Sequence, residues 1–194
     1  FAVGKHISPW SKRLGEKLFD ERITMYTDTV SSEALLRLAF DAEGVPCSKA
    51  VLIDRGVLKS FYHSLDTAAE CGHEPTGHGF RDGGSLPSPS LQCMGFAQGA
   101  GHLDAMAADA EIWIDDLIGT SMCNPYTGNI SGNVAMGFTM ENGRRRARVK
   151  DAMLNVRVFD ELKSSVLAVS AETDVIGYTR LPYVLLDGIT IAAQ

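Results

Sequence analysis

The dipeptide Asn142-Gly143 limits this chain more than any other feature of its sequence. It sits between two β-prone runs, residues 134–140 and 144–149. A type I′ turn needs positive φ at both central residues, and Asn-Gly meets that demand at low steric cost. The stretch therefore predicts a hairpin. The same plan recurs at residues 49–62, where Asp54-Arg55-Gly56 separates two β-prone runs. It recurs again at the end, where Asp187-Gly188 interrupts residues 183–191. Nineteen glycines and seven prolines supply turns on this scale. Three strand–turn–strand units with only short helices between them imply an α+β fold dominated by antiparallel hairpins.

The remaining elements follow from periodicity. Residues 21–27 alternate at period two, with Ile23 and Met25 on one face, and predict a half-buried strand. Residues 111–114 predict another. Short helices are expected over 12–19, over 65–71 with Gly72 as its C′ residue, and over 103–110. A further helix is expected over 158–166, where Phe159, Leu162 and Val166 recur at spacings of three and four. Asp41-Ala42-Glu43-Gly44-Val45-Pro46 reads as a turn. Residues 72–101 are rich in Gly, Pro and Ser and read as one long loop, the kind that carries function or moves. There is no internal repeat, and the chain reads as a single domain over 1–194.

Composition narrows the class. Apolar residues are 45% and charged residues 22% of 194, with a net charge of -6. That is the balance of a globular domain, not of a disordered or collagenous chain. The negative charge argues against a general nucleic-acid binder. No run approaches the roughly 18 apolar residues that a membrane span needs. Cys47, Cys71, Cys93 and Cys123 lie more than twenty residues apart and form no C-x-x-C, so they read as ordinary buried cysteines of a reducing cytoplasm. The first residue is Phe1, and its apolar run is too short for a signal peptide. The chain is expected to be the C-terminal piece of something longer.

Three strings invite chemistry. His73-Glu74-Pro75-Thr76-Gly77-His78 is an H-E-x-x-x-H, in which His73 and His78 would hold zinc and Glu74 would act as general base. Residues five apart lie about 140° apart around a helix, and Pro75 with Gly77 opposes a helix altogether. Such a site would therefore be built on a loop and would need a third ligand from Cys71, Cys93 or His102. Arg144-Arg145-Arg146-Ala147-Arg148 invites a phosphate or nucleic-acid reading, but a solvated hairpin edge accounts for it better. Asn124-Pro125-Tyr126-Thr127-Gly128-Asn129 reads first as a turn. The second reading is that its dense polar groups face a peptide or ligand. With the hairpins around it, this gives the alternative of a non-enzymatic module that binds extended peptide by β-augmentation on a sheet edge. No P-loop, dinucleotide fingerprint or G-x-S-x-G elbow is present.

Several strings, taken in order, resemble the TldD/PmbA family. Leu14-Gly15-Glu16-Lys17-Leu18 resembles its "GKxGEKV" segment. Phe40-Asp41-Ala42-Glu43-Gly44-Val45-Pro46 is similar to its "DDEGVPxxR" turn, and residues 51–59 to its "TVLIENGVLKGYL" hairpin. Thr76-Gly77-His78-Gly79 with Arg81 stands at "STGNAR". Thr127-Gly128-Asn129-Ile130-Ser131 resembles "TGDFS", and Met140-Glu141-Asn142-Gly143 resembles "IENGE". Residues 82–125 match poorly.

The resemblance implies the C-terminal domain of a cytoplasmic protein more than twice this length. It also implies a homodimer or a TldD–TldE heterodimer that cleaves peptides held in an enclosed cavity. Catalytic subunits of the family use an HExxxH motif, upstream of Phe1 in this register, with a later cysteine as a further zinc ligand. That cysteine falls near residues 171–179, which hold none. The His73–His78 string falls on the "STGNAR" loop instead. The resemblance therefore implies the PmbA/TldE type of subunit. This chain would hold no metal itself, with zinc confined to the family's catalytic subunits. Its roles would be to shape a peptide cavity through Asn124, Tyr126, Thr127, Gly128 and Asn129, and to present a dimer surface. Candidates for that surface are Trp10, Phe19, Ile112, Trp113, Ile114 and residues 184–191. Neither nucleic acid nor membrane is expected as a partner.

Overall fold

A computed structural model describes residues 8–120, 123, 124 and 126–193. The opening residues Phe1-Ala2-Val3-Gly4-Lys5-His6, Pro125 of the polar turn, and Ser121, Met122 and Gln194 lie outside the described residues. Thirteen strands and three helices of seven residues each are found in what is described, and no described helix is long and apolar enough to cross a membrane. The α+β class and its antiparallel hairpins agree with the sequence. The chain divides into two compact units, Phe1–Ala97 with Asp174–Leu181, and Gln98–Thr173 with Pro182–Gln194.

The first unit is built on a six-stranded sheet. In chain order its strands are β1 (Met25–Thr27), β2 (Ala50–Asp54), β3 (Val57–Leu58) and β6 (Met94–Phe96). Parts of β11 (Val166–Ile176) and β12 (Thr179–Leu186) complete it. The order across the sheet is β11-β12-β6-β1-β2-β3. β12 runs parallel to β6, while β6–β1, β1–β2 and β2–β3 are antiparallel. Helix α1 (Leu65–Cys71) and the small pair β4 (Gly79–Phe80) and β5 (Ser88–Pro89) lie outside it. The core is Leu18, Phe19, Ile23, Leu52, Ile53, Leu58, Ala68 and Cys93.

The β2–β3 hairpin turns through Arg55 and Gly56, both at positive φ (46° and 78°), as its sequence required. Gly56 does more than turn the chain. Its carbonyl accepts from Leu18 N–H and Phe19 N–H, and its own N–H donates to the Ile23 carbonyl. This explains why residues 12–19 are not the expected helix. Gly15 sits at φ 85°, and the N–H groups of Gly15, Leu18 and Phe19 are spent on the hairpin instead of on preceding turns. The strand expected over 21–27 shrinks to Met25–Thr27 for a related reason. The Asp20 carboxylate accepts from Arg22 N–H, and Ile23 N–H donates to the Asp20 carbonyl, so the chain turns before it extends.

Helix α1 matches its expected bounds. Ser64 caps it with Thr67 in a capping box, and Gly72 closes it at φ 67°. The long loop at 72–101 is only partly a loop, because it contains β6, a strand with partners on both sides. Gly95 in the middle of Cys93-Met94-Gly95-Phe96 hides the strand signal.

The second unit is organised by one long strand, β8 (Asn129–Glu141). Its first residues, Asn129–Asn133, pair with β10 (Ala152–Arg157). Its middle pairs with β7 (Ile112–Ile118), and its end pairs with β9 (Arg144–Arg148) across the Asn142-Gly143 turn. Strand β13 (Ile191–Ala193) extends the sheet beyond β10. Helix α2 (Leu103–Asp109) lies close to its expected bounds, and α3 (Val158–Ser164) ends where β11 begins. The core here is Met106, Ala107, Val134, Ala152, Leu154, Val166 and Val169. The closing strand–turn–strand is not a hairpin. Its turn at Asp187-Gly188 forms, with Gly188 at φ 71°, but β12 and β13 belong to different sheets.

Two glycines separate steric conflict from backbone strain. A Cβ at Gly56 would overlap the Phe19 carbonyl oxygen, whereas one at Gly15 meets nothing within 4 Å. Both sit at positive φ. Gly15→Ala should therefore cost about 1 kcal/mol, and Gly56→Ala about 3 kcal/mol or more. Urea unfolding of the two variants measures the gap.

Candidate functional site

Residues 123–131 form a closed turn at the start of β8. The Asn124 Oδ1 accepts from Tyr126 N–H at 2.9 Å and Thr127 N–H at 3.2 Å. Gly128 N–H donates to the Asn124 carbonyl, and Asn124 N–H to the Asn129 carbonyl. Much of the polarity that drew attention in the sequence is therefore consumed in shaping the turn. Gly128 is buried at φ 71°, and a Cβ there would come within 2.6 Å of the Phe159 ring. The side chains left on the outside are those of Tyr126, Thr127 and Asn129, with Tyr126 43% exposed. The turn presents a phenol, a hydroxyl and a carboxamide on a hydrogen-bonded backbone. That set suits polar contact with an extended ligand.

The His73–His78 string divides its two rings. His73 is exposed, and its Nδ1 shares a 2.9 Å hydrogen bond with Nε2 of His63, a residue the sequence did not single out. His78 is buried, with Nδ1 3.0 Å from the Thr76 hydroxyl and its ring 5.8 Å from that of Tyr62. Glu74 is exposed and Cys71 half-buried at the end of α1, while Cys93 is buried immediately before β6. Cys47 and Cys123 are half-buried, so of the four cysteines expected to be buried Cys93 alone is. His102 belongs to the second unit as the N-cap of α2. Among the described residues no group of three or more His, Cys, Asp or Glu is placed to hold a metal ion.

What surrounds the two histidines is a buried polar frame. Thr76 Oγ1 accepts from His63 N–H at 2.7 Å and donates to the His63 carbonyl. Asp41 is buried too. It accepts from Glu43 N–H and Val45 N–H within its own turn, and from Gly79 N–H 38 residues away. Glu43 accepts from Leu65 N–H at the start of α1. The frame thus ties the 41–46 turn, α1 and the 76–79 segment together.

Asp28, a residue without a sequence motif, is the second buried carboxylate of this unit. It accepts from Val30 N–H and Ser31 N–H and pairs with Lys49 at 3.2 Å. Burial pushes its pKa up, but the hydrogen bonds from Ser31 and Val30 and the Lys49 ammonium win and hold it at about 2. Only the clustering of Asp28-Thr29 after a β-prone run could have hinted at this role.

In the second unit Trp113 lies half-buried, 5.2 Å from the Tyr183 ring, with the Arg145 guanidinium 5.2 Å from its centroid. Arg145 also pairs with Asp115, and Arg146 with Glu141, so part of the arginine run is spent on its own hairpin and on β7. Ile112 and Ile114 are half-buried and Val184 is 38% exposed. Phe19 is fully in the core of the first unit, against the edge of Trp10.

The PmbA/TldA metallopeptidase C-terminal domain family matches residues 1–193. The chain belongs to that family. A metalloprotease of Archaeoglobus fulgidus is 29% identical over 164 residues, which is 84% of this chain and 38% of that protein. A metalloprotease of Methanocaldococcus jannaschii is 27% identical over 157 residues, 80% of this chain and 35% of that protein. TldE from Thermococcus kodakarensis is 26% identical, and its fold superposes with a TM-score of 0.88 over 99% of this chain and 44% of that one. The chain thus spans somewhat over a third of the length of the curated relatives it matches. The family's name implies a metal. The described donors of this PmbA/TldA domain do not fit one, because His73 and His78 are engaged by different neighbours and no third ligand joins them.

His63 and His78 both have pKa values lowered by burial. A lowered histidine pKa means the unfolded chain binds protons that the folded one refuses. Stability from these residues is complete above the unfolded value near 6.5 and is lost as pH falls below it toward the folded values. Urea midpoints should therefore drop between pH 7 and pH 5, and the drop should be smaller in His78→Gln.

Proposed function

We propose that this chain is the C-terminal domain of a non-catalytic, PmbA/TldE-type subunit of a peptidase complex, with a share in a peptide-binding cavity and a dimer surface. The observation that carries the reading is the segment at 171–179. The family resemblance puts a zinc-ligating cysteine of the catalytic subunit there. This chain has Ala171-Glu172-Thr173-Asp174-Val175-Ile176-Gly177-Tyr178-Thr179, the end of β11 and the turn into β12. The likeness in fold to TldE supports the same assignment.

In this reading Tyr126, Thr127 and Asn129 contact the peptide, and Asn124 and Gly128 hold the turn that presents them. Ile112, Trp113, Ile114 and Val184 contribute apolar surface to a homodimer or to a TldD-like partner. Burying such surface contributes about 25 cal/mol per Å², and a standard interface of roughly 800 Å² per partner makes it matter for solubility. The setting is cytoplasmic.

Three experiments test the reading. The full-length protein, dialysed against metal-free buffer, should retain zinc well below stoichiometry and cleave unfolded peptides only after a TldD-like subunit is added. Stoichiometric zinc with activity in the protein alone would overturn it. Sedimentation at micromolar concentration should show a dimer, and a clean monomer that ignores the TldD-like partner would remove the assembly role. Within an active complex, Tyr126→Ala with Asn129→Ala should weaken peptide binding about tenfold.

A further inference from the structure

Strand register in the first unit sets three residues in one row. Tyr26 of β1 lies opposite Gly95 of β6, and Gly95 lies opposite Arg180 of β12. Directly opposed residues share a face of a sheet, so Tyr26 and Arg180 flank a position that has no side chain. Tyr26 leans into the gap: a Cβ at Gly95 would stand 2.6 Å from its hydroxyl oxygen. The ring covers Gly95, and beside it a cavity of about 40 Å³ opens, lined among others by Tyr26, Asp28, Glu33, Lys49, Met94 and Arg180.

The charges in this slot are unequal in what they have left to offer. Asp28 is saturated by two backbone N–H groups and Lys49. Lys49 is thereby paired, and its ammonium lies 5.3 Å from the Tyr26 ring centroid. Arg180 is different. Among the described residues only two arginines, Arg13 and Arg180, are partly shielded from solvent. Arg13 is paired with Glu16 at 2.8 Å, whereas the Arg180 side chain has no hydrogen bond or ion pair among the described residues. A guanidinium carries five donors and no acceptor, and its planar fork matches a carboxylate. Shielding it without an anion is costly.

Size and charge then select the anion. About 40 Å³ has room for the head of a ligand, a group of two or three heavy atoms, and not for a side chain. Asp28 and Glu33 offset the charges of Lys49 and Arg180 in the lining, so a singly charged group suits the slot better than a dianion such as phosphate. We infer that the cavity between Tyr26, Lys49 and Arg180 is a binding slot for a carboxylate group. Arg180 takes both oxygens, Tyr26 Oη is placed at the floor, and the Lys49–Asp28 pair fixes the wall. The group comes from a chain terminus or from an acidic side chain. The slot stands on its own chemistry and does not depend on the peptidase-complex reading.

Isothermal titration of the full-length protein tests this with four probes: N-acetylalanine, N-acetylalanine amide, N-acetylglutamic acid α-amide and inorganic phosphate. At least one carboxylate is expected to bind at least tenfold more tightly than the neutral amide and than phosphate. Tighter binding of N-acetylalanine supports the slot with a chain terminus as its source, and tighter binding of the glutamate derivative supports it with a side chain. Arg180→Gln should erase the preference for acid over amide, Arg180→Lys should keep part of it, and Arg37→Gln, an exposed arginine, should leave it intact. Equal binding of acid and amide overturns the inference, as does tighter binding of phosphate, or no binding of either acid up to tens of millimolar. These comparisons use the unmodified protein, so they decide the matter even if Arg180→Gln fails to fold. Their failure would leave the zinc and reconstitution results untouched.

Discussion

The six-stranded sheet of the first unit depends on a glycine in a strand of three residues. β6 is the only link between β1-β2-β3 and β12-β11 in the sheet order. It pairs antiparallel on one side and parallel on the other, and Gly95 is the residue that faces partners in both directions. Glycine normally weakens a strand, because it gains no packing and loses more chain entropy. Here its missing side chain is what admits the Tyr26 ring. The sheet can hold an aromatic residue flat across its middle because the position beneath it is empty.

A second principle runs through the same unit: buried charge is used as a fastener. Asp41 and Asp28 each collect two N–H groups from their own turns and one further partner from a distant segment, Gly79 for the one and Lys49 for the other. A carboxylate satisfied by several donors tolerates burial that a lone one would not. These contacts fix loops that have few large apolar side chains of their own. The buried apolar set of the unit includes only a handful of large residues, such as Phe19, Leu52 and Ile53.

The sequence was legible where local chemistry decides structure. Arg55-Gly56 and Asn142-Gly143 turned as their φ demands required, and α1 began and ended at its caps. The family strings pointed to the relatives that the whole chain matches. Legibility failed where distant partners decide. Nothing local says that the N–H groups of Leu18 and Phe19 will be claimed by Gly56, so a helix seemed natural at 12–19. Gly95 read as loop because its strand character comes from its neighbours in space. Strand β10 alternates in burial, with Ala152 and Leu154 inside, but Asn155 and Arg157 follow within a six-residue strand that has no turn signal of its own. His73 was noticed for its spacing to His78, although its partner is His63. The side chains of the candidate site fell in between. Asn124 was legible as a turn former, while the Asp28–Lys49 pair and Arg180 depend on register between strands more than twenty residues apart.

The discontinuous make-up of the first unit has a consequence in time. A ribosome delivers Met94–Phe96 long before Thr179–Leu181, and roughly eighty residues separate the two. Until the later piece emerges, β6 presents an unpaired edge to whatever is nearby, and such edges invite pairing with other chains. Non-local pairing of this kind is also slow, since a long loop must close before any contact rewards it. The nascent chain must therefore carry a half-finished sheet until residues 179–181 follow and Arg180 takes its place opposite Gly95.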